Sequence, residues 1–346
     1  MQVIDLYGRN IDYIRISITD KCNLRCKYCI PEEDIKSTLN NEILTFNEII
    51  KICTSASKLG IKKVKITGGE PLLRADVTDL IKSIKNIPGI DNVTLTTNGI
   101  FLSDKARDLK KAGIDSINVS LDTLNKNKFK DITRRDGFDK VIDGIEKSIK
   151  LGIKIKINCV PIRNFNYDEI NDIAAISKDN NIDVRFIEMM PIGIGNLFNS
   201  ISNKEILEII KKSFGEFKVW NRNNNNLGIL KDENERQDLK KFSDNGPATY
   251  YQNDNFKGRI GLISAVSNEF CPNCNRIRVT SDGFLKPCLC YSDGIDLKTL
   301  IRNGISEEEL TLVIKNGILN KPEKHGFNKL SKSDNLEVKS MSQIGG

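Results

Sequence analysis

The sequence predicts an α/β fold, a partial barrel of six β/α units followed by a smaller C-terminal module. Three observations carry this. Strand-like apolar segments recur at Tyr13 to Thr19, Val64 to Thr67, Val93 to Thr96, Ser116 to Ser120, Lys154 to Val160 and Val184 to Glu188. Helical stretches separate them, and that alternation argues for a parallel sheet built with right-handed crossovers. The helix ends also repeat, as Leu59-Gly60-Ile61, Ala112-Gly113-Ile114, Leu151-Gly152-Ile153 and, with asparagine in the place of glycine, Asn181-Ile182. Each reads as a helix stopping in a left-handed residue before the chain turns into a strand. Eight such units close a barrel and six are counted here, so one side is expected to stay open; a doubly wound sheet is the alternative.

The first helix is the clearest. Thr45 and Glu48 form a capping-box pattern, Ile49, Ile50, Cys53, Ala56 and Leu59 share one face, and Gly60 ends the run. Cys53 is thereby expected in a helix core. From Glu216 to Asn245 the chain turns polar and loses period. This divides it into a barrel over 1–215, a polar linker over 216–245 and a module over 246–346. In that module Arg259 to Val266 and Arg276 to Thr280 read as short strands, with Ser281-Asp282-Gly283 turning the second back into Phe284-Leu285.

Composition narrows the function classes. With 346 residues and 39% hydrophobic content the chain can bury a core, yet no apolar run approaches the ~18 residues of a membrane span. Its first residues, charged early, lack the layout of a signal peptide, so a soluble cytoplasmic protein is expected. The net charge of +7 would suit RNA, DNA or a polyphosphate, although most of the lysines read as a solvated face. A single histidine, His325, excludes a His-rich metal site and makes imidazole catalysis improbable. Nine cysteines in a reducing compartment are poor disulfide candidates, and the clustered ones read as metal ligands.

Cys22, Cys26 and Cys29 lie on one tight loop directly after the first strand. A cubane of four irons has four corners, so three thiolates leave one iron open to a small molecule. The spacing departs from the paired knuckles of a zinc ribbon and lacks the fourth cysteine of a ferredoxin run. Gly68-Gly69-Glu70-Pro71 follows the second strand. Ligand residues of such barrels sit at the C-terminal ends of strands, where Cys22, Gly69, Thr96, Ser120 and Met190 all fall. A second set, Cys271 and Cys274, then Cys288 after thirteen intervening residues, suggests another cluster with an open iron. Cys290, two places along an extended segment, would point the same way and is a further candidate ligand. Arg276 and Arg278 share one side of a strand, and their planar forks suit phosphate or purine edges.

The first triplet, with Tyr28 before its last cysteine, and the Gly-Gly-Glu-Pro segment resemble the radical S-adenosylmethionine superfamily. Adding the second triplet, Arg276-Ile277-Arg278 and the terminal Ile344-Gly345-Gly346, nearly the whole chain resembles the GTP 3′,8-cyclase family, lyases that open molybdenum cofactor synthesis. The resemblance implies two 4Fe-4S clusters and S-adenosylmethionine. Cys22, Cys26 and Cys29 would hold the first cluster, with Tyr28, Gly69, Ser120 and Met190 around S-adenosylmethionine. Cys271, Cys274 and Cys288 would hold the second, whose open iron binds guanine. Arg15, Lys65, Thr96, Lys156, Arg276 and Arg278 would line the GTP site, and the first three cysteines with Arg276 and Arg278 would be the catalytic set. The family often carries arginine where Lys65 stands; lysine keeps the charge but loses the fork.

The implied reaction begins when a deoxyadenosyl radical takes hydrogen from the ribose 3′ carbon. The substrate radical then attacks carbon 8 of guanine, and one further electron and proton complete (8S)-3′,8-cyclo-7,8-dihydroguanosine 5′-triphosphate. Implied partners are GTP, an electron donor and the next molybdenum cofactor enzyme, with no nucleic acid and no membrane; monomer and homodimer both stay open. The Gly345-Gly346 tail, without side chains, is able to thread into a crowded site. Two other readings are a radical peptide-modifying enzyme with an auxiliary cluster and a basic RNA-binding protein with structural zinc.

Overall fold

The computed structural model describes residues 2–31, 42–220, 246–267, 270–327 and 335–345. Six parallel strands follow one another in the sheet: β1 (Tyr13–Ser17), β2 (Lys63–Thr67), β3 (Asn92–Thr97), β4 (Ser116–Ser120), β5 (Lys154–Cys159) and β6 (Asp183–Ile187). Between them run α1 (Phe46–Lys58), α2 (Val77–Lys85), α3 (Leu102–Lys111), α4 (Lys126–Thr133) with α5 (Phe138–Lys150), and α6 (Ile170–Asp179). After α7 (Asn203–Phe214) come β7 (Lys218–Val219), β8 (Thr249–Gln252), β9 (Ile260–Ile263), β10 (Arg276–Val279), β11 (Phe284–Lys286) and β12 (Ile295–Asp296). Helices α8 (Leu297–Arg302), α9 (Glu307–Leu319) and the short α10 (Met341–Ile344) follow among the described residues.

The C-terminal strands do not build a sheet of their own. They extend the first one at both edges, in the order β12-β11-β10-β1-β2-β3-β4-β5-β6-β9-β8-β7. β10 lies parallel to β1, with Arg278 beside Arg15, and β9 lies parallel to β6, with Gly261 beside Arg185. Eight parallel strands therefore stand side by side. Among the described residues β9 and β10 do not pair, so the barrel stays open along the seam between them. Cys271 and Cys274 lie just ahead of β10, beside that seam.

Alternation along the strands explains why the sheet forms and what its inside contains. Ile14 and Ile16, Val64 and Ile66, Val93 and Leu95, Ile117 and Val119, Ile155 and Ile157, Val184 and Phe186 all pack in the core between sheet and helices. The residues between them point into the barrel and are largely polar or charged. A period of two thus gives each strand one oily face for the helices and one chemical face for the interior.

Most local signals take the form expected. Thr45 and Glu48 close the capping box on α1, and Gly60, Gly113 and Gly152 have φ of +89°, +83° and +69°. One reading is extended and one corrected. The buried face of α1 adds Ile52 to Ile49, Cys53 and Ala56, with Ile50 packed partly buried at its margin. Asn181 does not take the left-handed role: α6 stops at Asp179 and Asn180 is extended at φ −127°. Only Asp76 and Arg134 are left-handed non-glycines among the described residues. Of the expected linker, residues 221–245 lie outside the described residues, and Lys218–Val219 is a strand paired with Tyr251 and Gln252.

At the base of the barrel Asp183 holds two cations, Arg259 and Lys156. Arg259 donates through Nε and Nη2 at 2.9 and 2.7 Å, Lys156 Nζ lies 3.1 Å away, and Arg185 follows two places along β6. Burial alone would raise the Asp183 carboxyl, but the hydrogen bonds of Arg259 and the charges of Lys156 and Arg259 outweigh it and hold it at about 2. A depressed carboxylate stabilises the fold above its unfolded pKa and loses that contribution as pH falls through the folded value. Asp183→Asn is therefore expected to be less stable than the parent by an amount that is constant above about pH 4 and shrinks by about 2 kcal/mol toward pH 2. Urea unfolding across that range checks it, and a difference independent of pH would refute it.

Candidate functional site

The first cysteine loop is pinned from two sides. Gly69 N–H donates to Thr19 O at 2.6 Å and Glu70 N–H to Lys21 O at 2.8 Å, so the Gly-Gly-Glu-Pro segment lies directly on the loop backbone. A Cβ on Gly69 would stand 2.6 Å from Asp20 O and closer still to Lys21 O, which is why glycine is required there. On the other side Arg25 and Lys27 N–H groups bond Thr133 and Ile132 carbonyls at the end of α4. Cys29 and Ile30 then turn back on Cys26 O at 2.9 and 3.0 Å. Glu70, buried at the end of β2, takes Leu72 N–H, Thr97 Oγ1–H and Asn98 N–H, tying this segment to the end of β3.

All three cysteines line one cavity of about 310 Å³ inside the barrel, and Cys271, Cys274, Cys288 and Cys290 line the same cavity. Burial, reinforced by the neighbouring thiols, raises Cys26 well above the ordinary thiol range and Cys29 to about 12. Three buried thiols that disfavour one another's charge need a positive centre to become thiolates, and iron supplies one. Leu24 N–H already donates to Cys22 Sγ at 3.4 Å. Cys274 is different: burial would raise it, but Lys321 and Arg276 outweigh that and bring it down to about 6. Opposite it, His325 N–H donates to Cys271 Sγ at 3.4 Å and Gly326 N–H to Cys290 Sγ at 3.2 Å. Both donor sets fit an iron–sulfur cluster, buried thiolates with N–H groups aimed at sulfur.

Between the two sulfur sets runs a band of cations. Lys65, Arg185, Arg276 and Arg278 are buried, Arg15 is partly buried, and all line the cavity. Burial and mutual repulsion lower Lys65 and Arg278 well below their ordinary values, and burial brings Arg15 to about 10. Such a wall demands an anion of several charges. Arg278 spends one donor on Gly345 O at 2.8 Å. Gly345, at φ +77°, sits where a Cβ would meet Ser17 Cβ at 2.9 Å, so the tail does enter the crowded top of β1 and β2; Gly346 lies outside the described residues.

Of the expected site residues, Tyr28, Gly69, Thr96, Ser120 and Met190 meet at this cavity with Arg15, Lys65, Arg276 and Arg278. Lys156 is the exception. It does not line the cavity, and its Nζ bonds Tyr250 Oη at 3.0 Å and Asp183. Sequence reading missed Arg185, Asp122 and Lys321. Asp122 takes Tyr28 Oη–H at 2.6 Å and Val160 N–H at 2.8 Å, holding the aromatic ring between Cys26 and Cys29 in place. A charged residue inside an apolar strand was the available signal for Arg185; nothing local marks Lys321.

Comparison with known proteins follows this layout. A model described as the radical SAM superfamily matches residues 16–176, and one described as Molybdenum Cofactor Synthesis C matches 182–327. A GTP 3′,8-cyclase of Clostridium perfringens is 48% identical over 99% of both chains, and one of Desulforamulus reducens is 42% identical over 99% of this chain and all of that one. Among solved structures, SuiB of Streptococcus suis bound to S-adenosylmethionine shares the fold at TM-score 0.55 and 15% identity, over 98% of this chain and 76% of that one. Native anSMEcpe with bound AdoMet shares it at TM-score 0.53 and 19% identity, over 93% and 84%.

The close contact at Gly69 gives a direct test. Gly69→Ala is expected to push the Asp20–Lys21 backbone away, lowering stability by about 1–3 kcal/mol and reducing iron bound at the first triplet. Unfolding midpoints and iron analysis check it; unchanged iron and stability would contradict the packing described.

Proposed function

We propose a division of labour inside one cavity for this chain, which belongs to the GTP 3′,8-cyclase family. Its reaction is the radical cyclisation of GTP, the first step of molybdenum cofactor synthesis. The observation that carries the assignment of roles is the cation band lying between two sulfur sets.

Cys22, Cys26 and Cys29 would hold one 4Fe-4S cluster, with Tyr28, Gly69, Ser120 and Met190 around S-adenosylmethionine. Cys271, Cys274 and Cys288 would hold the other. When bound, the first cluster with S-adenosylmethionine supplies radical hydrogen abstraction, and the second supplies an iron for the purine. The chain's own residues supply placement. Arg15, Lys65, Arg276 and Arg278, joined by Arg185, take the triphosphate and fix the ribose, while Thr96 lies at the strand end above them. Asp122 keeps the Tyr28 ring turned toward the cavity by accepting its hydroxyl proton's hydrogen bond. Lys156 acts one layer lower, as a partner of Asp183 that sets the base of the band. Holding the ribose still in a water-poor pocket is what suppresses side reactions of a radical.

The reading extends to an electron donor, to transfer of the product to the next enzyme and to a cytoplasmic location. Among the described residues no helix is long and apolar enough to cross a membrane.

Anaerobically reconstituted protein given GTP, S-adenosylmethionine and a reductant is expected to release deoxyadenosine and a cyclised nucleotide, and the absence of both would reject the reading. Arg276→Ala and Arg278→Ala should each lower kcat/KM for GTP by about 10- to 100-fold while leaving the iron content of the first triplet intact.

A further inference from the structure

We propose that Arg9 is a positioning residue for the second iron–sulfur cluster, clamping together the two backbone segments that carry and hydrogen-bond its sulfurs. The inference rests on the reading that Cys271, Cys274 and Cys288 hold that cluster.

Arg9 is set by a tight turn ahead of β1. The Asp5 carboxylate takes the N–H groups of Tyr7 and Arg9, both at 2.9 Å, Gly8 turns at φ +76°, and Ile4 bridges Asn10. That turn aims the Arg9 side chain inward, where it is 4% exposed and its Asp5 partner is wholly buried. Every donor of the guanidinium is then used. Nε donates to Asp5 Oδ2 at 2.5 Å. Nη1 donates to Cys271 O at 3.0 Å and Glu323 O at 2.8 Å, and Nη2 to Pro322 O at 2.7 Å and Lys321 O at 3.4 Å. A guanidinium has five N–H groups in a rigid plane, and all five find an acceptor here.

The two segments so joined both belong to the sulfur site. One contains Cys271 itself. The other, 321–323, runs directly into His325 and Gly326, whose N–H groups point at Cys271 Sγ and Cys290 Sγ. Lys321 adds a bond from Nζ to Pro287 O at 2.6 Å, beside Cys288. The planar clamp thus sets the distance between a sulfur-bearing backbone and the loop that donates to that sulfur. N–H bonds to cluster sulfurs stabilise the more negative, reduced state and so raise the reduction potential. Lysine would keep the charge opposite Asp5 but could not satisfy four carbonyls in one plane.

The test isolates each sulfur set. In a background carrying Cys22→Ser, Cys26→Ser and Cys29→Ser, the protein is reconstituted anaerobically and compared with and without Arg9→Lys. Iron release to a chelator is expected to be about 10-fold or more faster with Arg9→Lys, and the midpoint potential by EPR-monitored titration lower. In the companion background, with Cys271, Cys274 and Cys288 all changed to serine, Arg9→Lys should leave iron retention unchanged. Equal retention and equal potential in the first background would overturn the proposal, as would equal loss in both, which would signify general unfolding. If the first background binds no iron even with Arg9 present, the reading beneath the proposal fails and takes it down as well.

Discussion

Burying like charges side by side is the constraint on which the arrangement depends. Arg15 stands next to Lys65 on one flank and Arg278 on the other, with Arg276 and Arg185 facing the same space. Desolvation makes each cation costly, and their repulsion adds to it. Surrounding structure offsets part of that cost where Arg278 donates to the Gly345 carbonyl. The remainder is met when a polyanion arrives. A pocket of this kind is tuned for its ligand at the expense of its own stability.

The two sulfur sets solve different electrostatic problems. Cys26 and Cys29 sit among groups that oppose ionisation, whereas Cys274 lies beside Lys321 and Arg276, which favour it. The arginine proposed to face the nucleotide thus also lowers the thiol of a proposed cluster ligand. Arg276 lies over the Phe270 ring, 4.8 Å from its centroid, which holds the guanidinium between these two roles.

Much of this was legible because it was local. Cysteine spacings, the Gly-Gly-Glu-Pro segment and the six strands each declare themselves within a few residues, and period-two alternation gives the strands away. What failed to show depended on distant parts of the chain meeting. The segment after Gly246 read as a separate module because no local pattern tells that β10 will join β1 or that β9 will join β6. Lys156 shares the barrel-facing register of Asn118, yet depth within the barrel, set by Asp183 and Tyr250, removes it from the cavity wall. Arg9 looked like an ordinary charge near the start of the chain, since its acceptors lie some three hundred residues on. Asn181 misled for a simpler reason: the chain leaves α6 through an extended residue and needs no left-handed stop.

The unpaired seam also orders the events of folding. β1 to β6 can associate as neighbours in turn, each closing a modest loop, whereas β10 must return across most of the polypeptide to reach β1. The strands beside the first cysteine triplet are thus able to take shape before the strand that follows Cys271 and Cys274 joins them. Among the described residues the gap between β9 and β10 is also where the barrel wall lacks a ladder of strand hydrogen bonds, so local opening costs least there.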